Sequence, residues 1–267
     1  MRPTGSPAAL LLRTLAATLP FGFAAAGCAG ATPPTSTPTP TWAEEPPGPP
    51  AGGLRASNGM KAHNGLALGG SLAVTAGLTT SGLADGSDVM STADGRATVA
   101  YLVRCALPAG RSITKSDQDG KTYTFDGQIG LAPEWESGAC GATCQRWVSA
   151  CLLALVNTAG THYPVWMVAS APPIGWGRSP DFTRQEGAFF GNVFASPPAA
   201  YFCGGRDFGV RAIPGRIGSA QGAAPYSNLY GPRGLCASAC APADGAHAGE
   251  GFTSCSGWNE VINVWHE

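Results

Sequence analysis

Between residues 143 and 157 apolar positions recur at three- and four-residue steps: Trp147, Val148, Cys151, Leu152 and Leu155. That period predicts an amphipathic helix, which Gly160 then ends. A second helix is expected over about 88–106, with Ser87 as its N-cap and Pro108 closing it. Gly95, Thr98 and Val99 are weak helix formers inside it, so an extended C-terminal half is the alternative. Elsewhere the pattern shortens to strands. Arg111–Asp117 and Lys121–Asp126 flank Asp119-Gly120, a hairpin signal that puts Tyr123 and Phe125 on one face. Tyr163–Ala169, the aromatic-rich Ala188–Phe194 and Asn259–Trp265 read as further strands. Together they predict an α+β domain: two helices near its N-terminal end, packed on an antiparallel sheet with long loops.

The first 27 residues carry Arg2 and Arg13, no acid, and a short apolar run, the layout of a secretory signal. The run is too short for a spanning helix, which needs about 20 apolar residues. Ala25-Ala26-Gly27-Cys28 resembles a bacterial lipobox, in which the cysteine becomes the lipidated first residue. This likeness implies attachment through Cys28. Because Ala29 is not Asp, it also implies the outer membrane. The alternative is cleavage after Ala29-Gly30-Ala31 and free secretion.

Residues 28–53 form a Pro/Thr-rich stalk, with Thr37-Pro-Thr-Pro-Thr41 and Glu44-Glu-Pro-Pro-Gly-Pro-Pro50. Proline fixes φ and lacks an N–H, so the segment is expected as an extended spacer of about 3 Å per residue. From 54 to 84 a degenerate Gly-rich unit recurs irregularly: Asn58-Gly59-Met60, Asn64-Gly65-Leu66, Ala76-Gly77-Leu78, Ser81-Gly82-Leu83. It reads as a second linker; the alternative is a strip whose apolar residues dock on a partner or on the domain. The globular body is then 85–267.

Composition narrows the classes. The formal net charge is −1, with 12% charged residues, so the chain offers no basic field for nucleic acid. Gly and Pro are abundant, at 38 and 23 residues, which points to turns and irregular loops. Of nine cysteines, Cys28 belongs to the leader. The other eight are Cys105, Cys140, Cys144, Cys151, Cys203, Cys236, Cys240 and Cys255. An even number in an exported chain predicts disulfides. Cys105 and Cys151 both fall on predicted helices and are the first expected pair. Two Cys-x3-Cys pairs, Cys140/Cys144 and Cys236/Cys240, could instead make a zinc site. Export favours disulfides, so no metal or cofactor is expected.

No motif fixes a reaction. Cys140-Gly-Ala-Thr-Cys144 is faintly like a cysteine-protease helix, but its spacing does not match. Of the histidines, His162 and His247 are the candidates left after His63 and His266 are set aside by position. Glu134, Glu136, Asp181, Glu186, Asp207 and Glu260 could supply a glycosidase pair. Glu186 is the most unusual, a charge entering the apolar run Gly187–Asn192. It is a candidate site carboxylate or a buried structural one. Trp166, Trp176 and Trp258 are candidates for stacking on sugars.

Four motifs occur together: Tyr101-Leu-Val-Arg-Cys-Ala-Leu-Pro-Ala-Gly110, Gly130-Leu-Ala-Pro-Glu-Trp135, Ser149-Ala-Cys-Leu-Leu153 and Glu186-Gly-Ala-Phe-Phe-Gly-Asn192. With the Asn-Gly strip before them, they resemble an uncharacterised family of secreted or lipoprotein-type bacterial proteins. The resemblance implies export and carries no activity. The expected function is an exported, lipid-anchored surface module of unknown molecular activity, in a binding or envelope-associated role, for which an envelope glycan or protein is the candidate partner. The alternative is a secreted hydrolase acting on envelope glycan or peptide.

Overall fold

The computed structural model describes residues 53–58, 60–61, 72–157, 162–208 and 231–267. The expectations for the leader, for Cys28 and for nearly all of the stalk fall outside them. The strands, in chain order, are β1 (Leu54–Asn58), β2 (Met60–Lys61), β3 (Ser112–Ser116), β4 (Thr122–Asp126), β5 (Val156–Asn157) and β6 (Tyr163–Val168). After them come β7 (Arg184–Asn192), β8 (Ala199–Gly204), β9 (Gly231–Leu235), β10 (Cys240–Pro242), β11 (Phe252–Cys255) and β12 (Ile262–His266). The helices are α1 (Asp88–Ser91), α2 (Ala93–Ala106), α3 (Ala142–Leu155) and α4 (Cys236–Ala239). The molecule is α+β with a mostly sheet core.

A six-stranded sheet in the order β1-β6-β12-β7-β8-β9 dominates. Its pairs are antiparallel except β8–β9, which is parallel, so the sheet is mixed where a purely antiparallel one was expected. The helix α3 lies on one face against β7, with Val148, Leu152 and Leu155 fully buried. The next layer is α2, between α3 and the β3–β4 hairpin. That position explains why ten of its fourteen residues are buried, including Arg104 and Thr98. The expected single helix over 88–106 is two, because Thr92 adopts an extended conformation and caps α2, accepting from the Gly95 N–H at 3.0 Å. The C-terminal half stays helical, since burial on both sides outweighs the weak propensity of Thr98 and Val99.

The hairpin follows its turn chemistry. Gly120 takes φ +79°, which glycine adopts without steric cost. Ile113 then faces Phe125, both buried.

Residues 54–84 are not a linker where the structure describes them. Leu54–Asn58 is the edge strand β1, in register with Tyr163–Met167. Ala56, Met60, Leu72, Leu78 and Leu83 are buried in the main core. Gly77 and Gly82 let the segment fold tightly on itself, with the Gly82 N–H donating to the Gly77 carbonyl at 2.8 Å. The body therefore begins at least 30 residues earlier than the pattern indicated, because small glycine-rich units can pack apolar side chains without forming long elements. Among the described residues, no helix is long and apolar enough to cross a membrane.

Four disulfides staple the layers. Cys105–Cys151 joins α2 to α3 with Cα atoms 6.0 Å apart, the pair expected from the sequence. Cys140–Cys144 closes the entry to α3, Cys203–Cys236 ties β8 to α4, and Cys240–Cys255 ties β10 to β11. The zinc alternative is displaced: Cys140 and Cys144 bond each other, while Cys236 and Cys240 bond Cys203 and Cys255.

Candidate functional site

The outer face of the sheet, away from α3, carries its own aromatic cluster. Phe182 and Trp265 are buried there with Val168, and Trp166 and Trp176 pack against them. A cleft of about 140 Å³ opens beside this cluster. Its floor is Trp166, Phe182 and Trp265; its walls include Arg178, Arg206 and Glu250. Five separate segments meet at it: β6, the loop over 176–183, the turn after β8, the loop before β11, and β12.

Hydrogen bonds fix those loops. Trp166 Nε1 donates to the Gly177 carbonyl at 2.8 Å and Trp265 Nε1 to the Glu250 carbonyl at 3.1 Å. The Arg178 guanidinium donates to the Ala248 carbonyl at 3.0 Å, joining the two walls. Behind them Asn263, fully buried on β12, donates to the Phe252 and Val168 carbonyls and accepts the Phe252 N–H. A buried polar side chain in a strand thus clamps the loop that delivers Glu250.

The ring faces are not bare. Trp166 and Phe182 stack at 6.0 Å. The Arg206 guanidinium lies 5.3 Å from the Trp265 ring centre, and Arg55 lies 5.9 Å from that of Phe182. Arginine backed by an aromatic ring keeps its planar fork oriented, with N–H groups on the rim. Asp207 holds Arg206 at 3.1 Å through Nε. Glu250 is engaged by His247 at 3.3 Å, and the His247 ring stacks on Trp176 at 5.6 Å.

The sequence candidates distribute unevenly. Trp166 lines the cleft, Trp176 sits behind it through His247, and Trp258 lies elsewhere, against Tyr201 and Arg146. Glu260 is buried and 3.7 Å from Arg146. Glu136 pairs with exposed Arg111, while Glu134 and Asp181 are exposed. Of these carboxylates none lines the cleft, whose one carboxylate among the described residues is Glu250. Cys144 is bonded to Cys140, so it offers no thiolate nucleophile.

Glu186 is fully buried, with Oε2 3.0 Å from His266 Nε2. It sits at a bulge: Val264 pairs with Gly187 and Trp265 with Gln185, leaving Glu186 as the extra residue. Gly187 has φ +157°, and a Cβ there would overlap the Cys203 carbonyl. The bulge re-aims Glu186 toward His266, a common use of such irregularities. His162 stands apart, 3.5 Å from the Tyr101 hydroxyl. Burial, aided by the charge on Arg104, holds its imidazole below the usual histidine range.

Sequence reasoning missed Arg178, Arg206, Phe182, Trp265 and Glu250. They lie in loops or at strand ends far apart in the chain, and no local spacing joins them. Compared with known proteins, the chain matches no family model, no curated protein and no solved structure.

Proposed function

We propose that the chain is an exported, lipid-anchored surface module that binds an acid-bearing end of an envelope glycan in this cleft. The observation that carries the reading is the cleft's composition: an aromatic floor with two arginines and one engaged carboxylate on its walls. Its volume is near the ~150 Å³ of a cavity that holds a single benzene ring and below the roughly 300 Å³ at which small-molecule pockets begin. It therefore suits one ring or its acidic substituent rather than a nucleotide-sized ligand. Planar guanidinium forks favour carboxylate or phosphate, and the small apolar floor favours a sugar ring edge. The lipobox-like Ala25-Ala26-Gly27-Cys28 and the stalk support attachment to the outer membrane, with the domain held off its surface.

The test is equilibrium binding of glucuronic acid and N-acetylmuramic acid, each beside its neutral methyl ester, to the exported Cys28→Ala protein. Binding of the acids with loss on esterification supports the reading. If neither acid binds, the reading is wrong.

A second reading, a hydrolase acting on envelope glycan or peptide, draws on the buried Glu186–His266 pair, which has the geometry of an oriented base. Glu186→Gln separates the two. Loss of hydrolytic release from envelope glycan or peptide with ligand binding kept would favour the enzyme.

A further inference from the structure

The sulfur atoms of Cys203, Cys236 and Cys240 lie within 4.8 Å of one another, the one such group among the described residues. Two disulfides meet there, Cys203–Cys236 and Cys240–Cys255. Across them, Cys203 Sγ and Cys240 Sγ are 3.3 Å apart without a bond. The placement follows from the fold. Cys236 opens α4 and Cys240, extended, caps its C-terminal end with its N–H donating to the Cys236 carbonyl, so the two stand one turn apart. Both therefore address Cys203 on β8, while the β10–β11 register sets Cys240 opposite Cys255. Access is unequal. Cys203, Cys236 and Cys255 are fully buried and Cys240 is half-buried.

We infer that these four cysteines form a thiol–disulfide exchange centre, which takes electrons from an exported thiol or dithiol at Cys240 and passes them to Cys236. Exchange proceeds by thiolate attack on a disulfide sulfur, so it needs a reachable first sulfur and a second disulfide in contact with it. A thiolate from the reductant attacks Cys240 Sγ; a mixed disulfide forms and Cys255 leaves as thiolate. A second reductant thiolate attacks the reductant's own sulfur in that mixed disulfide, which forms the oxidised reductant and frees the Cys240 thiolate. Cys240 then attacks Cys203 Sγ across the 3.3 Å gap. The Cys203–Cys240 bond forms, the Cys203–Cys236 bond breaks, and the electron pair stays on Cys236, which takes a proton from water. In sum, two reductant thiols become one disulfide, and one protein disulfide becomes two thiols, at Cys236 and Cys255. Cys140–Cys144 has no third cysteine sulfur within that distance among the described residues and cannot relay in this way.

The experiment is partial reduction of the whole exported protein with limiting dithiothreitol, followed by an alkylating quench and peptide mapping. The expected product is a Cys203–Cys240 peptide with alkyl label on Cys236 and Cys255. Label confined to Cys240 and Cys255, with Cys203–Cys236 intact, overturns the inference. Cys255→Ser gives a second reading without added reductant. It should show Cys203–Cys240 with labelled Cys236, in exchange with Cys203–Cys236 and labelled Cys240. Labelled Cys240 alone contradicts the relay. Neither result depends on whether the cleft binds a sugar.

Discussion

Tyr101 shows how much one buried side chain couples to pH. It is 3% exposed on α2, and desolvation raises its hydroxyl to about 12, partly opposed by Arg104. In the unfolded chain it ionises near 10. Its contribution to stability is therefore complete below pH 10 and lost as pH rises through 12, at most about 3 kcal/mol. The Tyr123 hydroxyl is also raised, by desolvation and its hydrogen bond to Asp117, so in a Tyr123→Phe background absorbance titration at 295 nm should show a late phase that Tyr101→Phe removes. A late phase that survives the substitution would contradict the assignment. The Cys105–Cys151 bridge belongs to the same scale. It spans a sequence separation of 46, and loop-closure entropy gives it about 4 kcal/mol. Replacing both cysteines with Ala should lower unfolding free energy by about 2–5 kcal/mol in urea and leave sugar binding unchanged. This pair was legible in the sequence because both cysteines sit in helices. The other three were not, because they join a loop to a helix, a strand to a helix and a strand to a strand, and which of these meet is set by tertiary packing.

Elements with their own period were legible. Helix α3 and the β3–β4 hairpin lie within a few residues of where periodicity and Asp119-Gly120 put them. Helix α2 broke from α1 because capping by Thr92 leaves no trace in the apolar pattern. The 54–84 segment was misread because its glycines resemble a linker, while Leu72, Leu78 and Leu83 owe their burial to distant partners. Strand β1 makes this testable. Its removal uncovers the edge of β6 and the core around Ala56, and deprives buried Arg104 of the Ser57 carbonyl it reaches at 3.4 Å. An exposed strand edge invites aggregation. An exported chain lacking residues 54–61 should be unfolded or aggregated by circular dichroism and size-exclusion chromatography. A truncated chain as monomeric and as thermally stable as the full one would restore the linker reading.

At the scale of the whole molecule, the proposal assigns attachment to Cys28 and recognition to the cleft, so the two are tested separately. Cys28→Ala should move the protein from the membrane to the soluble fraction; unchanged membrane association would exclude a lipid anchor at Cys28. The cleft was invisible in the sequence because it forms where five segments converge on the outer sheet face. Its claim is tested most directly by calorimetric titration of the Cys28→Ala protein with N-acetylmuramic acid, before and after Arg178→Ala with Arg206→Ala. The two arginines should account for at least a tenfold loss of affinity, about 1.4 kcal/mol, with the fold retained by circular dichroism. Equal affinity in both proteins would contradict the account.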